Sequence, residues 1–64
     1  MNQVSILNKL FNKENLSIKE SLFIFNKIMS GELDDIIISA ILVGLKLKGE
    51  SKEEIIGAAQ AMRE

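Results

Sequence analysis

The segment from Asp35 to Lys48, DIIISAILVGLKLK, constrains the fold more than any other part of the chain. Wound as a helix at about 100° per residue, it is apolar over most of its circumference: Ile36, Ile37, Ile38, Ala40 to Val43, Leu45 and Leu47. Only a narrow stripe through Asp35, Ser39 and Lys46 is polar. A helix that is apolar on nearly every side is buried on nearly every side. The run is too short for a bilayer, which takes about 20 consecutive apolar residues, so the covering must be protein. The whole chain has 64 residues, enough for one domain at most. Three companion helices of similar length would struggle to enclose such a segment. It is therefore either a central helix sheathed by its siblings or a helix with one face covered by another subunit or domain. The second arrangement is the expectation, because an exposed face would leave a larger apolar patch than monomers usually carry.

The rest of the chain is punctuated as helices. There is no Pro, and Ser17-Ile18-Lys19-Glu20 forms a capping box in which hydroxyl and carboxylate each satisfy an orphan backbone N–H. That helix is predicted to run to about Ser30, with Gly31 free to take the left-handed conformation past its end. Asp34 is the predicted cap of the apolar helix, with Leu33 and Ile38 at the spacing of a hydrophobic staple. Lys46 and Lys48 suit its C-terminal dipole, and Gly49 follows. Ser51-Lys52-Glu53-Glu54 is a second capping box, opening a last helix at Lys52. A first, less strongly marked helix covers about Gln3 to Phe11. No segment alternates with period two long enough for a strand, so the fold class is all-α, a small bundle of four helices over residues 1–64. On the second helix Ile18, Leu22, Phe25, Ile28 and Met29 share the expected inner face, and Phe23 points towards the polar side. On the last, Ile55, Ala58, Ala59 and Met62 share a face with Gly57 and Ala61 beside them. That helix reaches Glu64 without a stop signal, which suggests continuation.

The same residues exclude most chemistry. Without Cys or His there is no disulfide, thiol nucleophile, imidazole base or zinc site. The acidic pairs Asp34/Asp35 and Glu53/Glu54 stand at helix starts, where the dipole favours them. No Gly-rich phosphate loop, nucleotide fingerprint or Ser-centred nucleophile motif occurs. An acyl carrier domain would need an Asp-Ser-Leu attachment triplet, which is missing. The net charge of −1 is well mixed, with no basic stripe for nucleic acid. The third helix is too apolar to serve as a helix-turn-helix recognition element. With neither a membrane span nor a signal peptide pattern, the expected location is the cytoplasm.

The sequence resembles the N-terminal helical domain of the anthranilate phosphoribosyltransferases. The resemblance rests on Ile6-Leu7 and Leu10, Leu16-Ser17 with Glu20, Gly31-Glu32-Leu33, and Ala40, Leu42 and Leu45. Its strongest block is Lys48-Gly49-Glu50-Ser51, Glu54-Ile55, Gly57-Ala58 and Ala61-Met62-Arg63. The pyrimidine nucleoside phosphorylases open with a similar domain, but the Lys-Gly-Glu-Ser and Glu-Ile-x-Gly-Ala pattern is closer to the anthranilate enzymes. The resemblance implies a larger enzyme that moves phosphoribose from phosphoribosyl pyrophosphate to anthranilate in tryptophan biosynthesis, with Mg²⁺. Its Gly-Thr-Gly-Gly-Asp-type loop and acidic metal pair would lie in a C-terminal α/β domain, so no catalytic, cofactor or metal residue is assigned here.

It also implies that the helical domain packs on that α/β domain across the active-site cleft and forms a homodimer. The candidate interface residues are Ile37, Ile41 and Leu45 on the third helix, Ile6 and Leu10 on the first, and Phe23. A free-standing helical interaction module is the contrasting expectation.

Overall fold

The computed structural model describes residues 1–63. They form α1 (Gln3–Phe11), α2 (Ile18–Met29), α3 (Asp35–Lys48) and α4 (Lys52–Arg63), with no strand among the described residues. The continuation expected at Glu64 lies outside them.

The helices begin where side chains can satisfy their first N–H groups. Ser17 Oγ accepts from the Glu20 N–H at 3.1 Å, and Glu20 Oε1 accepts from the Ser17 N–H at 2.9 Å. Asp34 Oδ1 accepts from the Ile37 N–H at 2.9 Å. At α4, Ser51 Oγ accepts from the Glu54 N–H at 3.2 Å and Glu54 Oε1 from the Ser51 N–H at 2.8 Å. The faintly marked α1 has a box as well: Asn2 Oδ1 accepts from the Ser5 N–H at 2.8 Å. The pairing Asn2/Ser5 departs from the usual Ser/Thr with Glu/Gln, which hides it in the sequence. Gly31 and Gly49 adopt φ of +76° and +90°, conformations that L side chains resist, and they end α2 and α3.

The four helices pack as two pairs. α4 lies tightly along α2, and α1 lies on α3. The first pair meets at Gly57, where an added Cβ would stand 2.5 Å from Ser21 Cβ and 2.7 Å from the Ile18 carbonyl oxygen. Between the pairs sits an aliphatic core of Ile6 and Leu10 (α1), Leu16, Ile24 (α2), Leu33, and Ile41 and Leu45 (α3). Phe23, Phe25, Ile28, Ile37 and Ile38 close its edges. α4 contributes no side chain to this cluster among the described residues.

Two predicted faces are rotated in the structure. On α2 the fully buried residues are Ser21 and Ile24, while Met29 is exposed. The helix is covered on two sides, by the core and by α4, so its most buried line falls between them. On α4 the buried residues are Glu54, Gly57 and Ala61, and Ile55, Ala59 and Met62 face outward. Close approach of two backbones selects small residues for the contact, and the larger apolar ones are left outside.

Candidate functional site

Exposed apolar side chains flank α3 on two sides. The face of α3 directed at the core carries Ile37, Ile41 and Leu45. The opposite face exposes Ile36 and Leu47, at 79% and 80% of their surface, together with Val43. Exposed Phe11 of α1 adjoins this face, and a groove between α1 and α3 is lined by Phe11, Ala40, Val43, Gly44 and Leu47. A second groove runs where α2, α3 and α4 converge, lined by Phe25, Leu45, Ile55, Ala58 and Met62, with Glu50 and Glu54 at one end. The four helices leave part of the apolar surface of α3 and α4 uncovered.

Four of the six interface residues expected from the sequence lie inside the chain's own core. Ile6 and Ile41 are fully buried and Leu10 and Leu45 nearly so, all four within the chain's own core. The reason is that α1 crosses α3 on exactly this side, at Gly44, where an added Cβ would meet Leu10 Cβ at 3.3 Å. Ile37 is half-buried against the same core. Phe23 is also half-buried against the core, with the Lys27 ammonium 5.2 Å from its ring centroid. The residues with apolar surface to offer are instead Ile36, Val43 and Leu47 on α3, Phe11 on α1, and Ile55 and Met62 on α4.

A feature missed in the sequence stands beside the second groove. Glu54 and Lys48 are buried, with side chains only 1% and 4% exposed, and pair at 2.7 Å. Glu54 Oε2 accepts from the Leu16 N–H in the α1–α2 connection at 2.6 Å. Lys48 Nζ also donates to the Gly49 carbonyl at 2.8 Å and to Asn15 Oδ1 at 3.1 Å. The Glu54 carbonyl in turn accepts from Ser21 Oγ at 2.7 Å. Burial pushes the Glu54 carboxyl up, but the Lys48 ammonium and the Leu16 and Ser51 N–H groups outweigh it and hold it below the usual glutamate range. Helix-end electrostatics, the role expected for Glu54 and Lys48 from their positions, describes only part of what they do. The signal available in the sequence was their separation across Gly49 and Ser51, which lets the end of one helix face the start of the next.

No cluster of three Asp or Glu residues that could hold a metal ion occurs among the described residues. No described helix is long and apolar enough to cross a membrane.

A family model described as the helical bundle domain of a glycosyl transferase family matches residues 4–64. The chain belongs to this family. Within this helical bundle family, it is 53% identical to the anthranilate phosphoribosyltransferase of Saccharolobus solfataricus over 64 residues, covering 100% of this chain and 19% of the relative. It is 50% identical over 60 residues to the enzyme of the same name from Buchnera aphidicola subsp. Melaphis rhois, covering 94% of this chain and 18% of that protein. The anthranilate phosphoribosyltransferase of Thermoanaerobacter sp. is 50% identical over 58 residues, covering 91% and 17%. The chain thus spans about a fifth of the length of these curated relatives. The resemblance read from the Lys48–Glu54 and Gly57–Arg63 blocks, and the all-α bundle it implied, both hold.

Proposed function

We propose that this chain is the dimerisation and cleft-forming domain of a cytoplasmic anthranilate phosphoribosyltransferase. The observation that carries the proposal is the apolar surface left open on two sides of a domain whose named relatives are about five times its length. One open side, Val43 and Leu47 with Phe11, suits a second copy of the chain, because residues of two adjacent helices form a continuous apolar strip. The other, the groove at Ile55 and Met62, suits an α/β domain of the same polypeptide, since it lies along the last helix. The domain's role is then indirect: it places two subunits and supplies one wall of a cleft that closes over substrate. Phosphoribosyl transfer to anthranilate, with its Mg²⁺, belongs to the α/β domain.

The test is an assay of the protein that carries this domain together with an α/β domain. Phosphoribosyl pyrophosphate, Mg²⁺ and anthranilate are supplied in one reaction, and a pyrimidine nucleoside with phosphate in another. Consumption of anthranilate in the first alone is the expected result. Turnover of the nucleoside in place of anthranilate would assign the domain to a phosphorylase. The 64-residue chain by itself is expected to be inactive in both.

A further inference from the structure

Apolar contacts are non-directional, and apart from the partly exposed Lys9–Glu20 ion pair at 2.9 Å and the buried Lys48–Glu54 pair they are what joins the α1–α3 pair to the α2–α4 pair. Aliphatic side chains such as Ile6, Ile24 and Ile41 hold the pairs together without fixing how far one is turned on the other. A buried ion pair with fully used hydrogen-bonding capacity has the opposite character: it adds little net stability but selects one geometry. The Lys48–Glu54 pair sits where such selection counts. Its lysine ends α3, its glutamate begins α4, and the carboxylate reaches the Leu16 N–H between α1 and α2. Asn15 Oδ1 and the Gly49 carbonyl take the remaining ammonium protons, and no buried side-chain polar atom among the described residues is left without a partner. The pair's lysine lines the groove between α1 and α3, and its glutamate lines the groove formed by Phe25 of α2, Leu45 of α3, and Ile55 and Met62 of α4. The walls of that groove come from both helix pairs, so its width depends on the angle between them.

We propose that Lys48 and Glu54 form a positioning clip that fixes the α1–α3 pair against the α2–α4 pair and thereby sets the width of the groove between α3 and α4. The clip concerns the chain's internal geometry, and it stands or falls independently of the enzymatic reading. Either helix pair can remain folded without it. What is lost is the single angle between them.

The chain has no Cys, so spin labels can be placed cleanly at Lys19→Cys on α2 and Ser39→Cys on α3, both exposed positions. Pulsed electron spin resonance on the doubly labelled chain, diluted into an excess of unlabelled chain so that only distances within one chain are read, should give one narrow distance peak in the parent chain. Glu54→Gln keeps the shape and an acceptor for Leu16 but removes the charge, and Lys48→Met keeps the aliphatic stem but removes the ammonium. Each is expected to broaden the distance peak while helix content by circular dichroism stays unchanged. An unbroadened peak in both variants would overturn the clip. So would loss of helix content in both, because the pair would then be part of global folding.

Discussion

Gly57 of α4 stands so close to Ser21 of α2 that an added Cβ would meet the Ser21 Cβ at 2.5 Å and the Leu22 backbone nitrogen at 2.8 Å. Two of the three nearest atoms are backbone, so the strain cannot be relieved by a side chain swinging aside. Gly57→Ala would gain about 1 kcal/mol of helix propensity, yet the forced separation of α2 from α4 should outweigh it. A net loss of about 1–3 kcal/mol is expected in urea unfolding. Gly44→Ala is the matched control. Its added Cβ would meet only the Leu10 side chain, at 3.3 Å and 3.7 Å, so the propensity gain and the crowding should nearly cancel.

Removing the charge at Glu54 leaves the Lys48 ammonium buried without its anion. Glu54→Gln should lower unfolding stability by about 2 kcal/mol, and the change should move the urea midpoint.

Acid should find the same carboxylate. Glu54 is held below the usual glutamate range by Lys48, Leu16 and Ser51 against the opposing effect of burial, and Glu20 is held low by the Ser17 N–H and by Lys9. With the folded-state values lowered, the unfolded chain binds more protons as the pH falls. The stability from these groups is therefore complete above the unfolded glutamate value of about 4.3 and is lost as the pH drops through the lowered folded values. Urea unfolding as a function of pH should be flat near neutrality and fall on the acid side. Glu54→Gln should flatten that acid slope. An unchanged slope would show that Glu54 is not ionised in the folded chain.

The caps and the all-α architecture were legible in the sequence because they depend on a few residues acting locally: Ser17 with Glu20, Ser51 with Glu54, Asp34, Gly31 and Gly49. The faces were less so. α3 is apolar on nearly every side, so its pattern has no phase that marks Ile41 as core and Val43 as surface. That choice is made by where α1 crosses, which no local residue encodes. On α4 the polar Glu54 and the small Gly57 and Ala61 are buried while Ile55 and Met62 are exposed, the reverse of a reading based on hydrophobicity alone. The cause is again tertiary: close packing on Ser21 and a buried lysine from another helix. The candidate interface followed the same error. Apart from Phe23 of α2, its residues were chosen from α1 and α3, on the side that those two helices turn towards the core.

Ile41 and Val43 separate core from surface within one helix. Ile41 is fully buried, and Ile41→Asp places an unpaired charge in the core, which should unfold the chain at a loss above about 4 kcal/mol. Val43 is exposed, and Val43→Asp should keep the native circular dichroism spectrum of the parent. Equal loss of structure in both variants would mean that α3 is enclosed on every side.

If the domain is a dimerisation domain, the open face of α3 joins two copies of the chain. Sedimentation equilibrium of the parent chain and of a Val43→Asp/Leu47→Asp variant, at matched concentrations, measures this. The parent should fit a monomer–dimer equilibrium that shifts to dimer as concentration rises, and the variant should remain a folded monomer throughout. A parent chain that stays strictly monomeric at the highest concentration, or a variant that dimerises as the parent does, would contradict it.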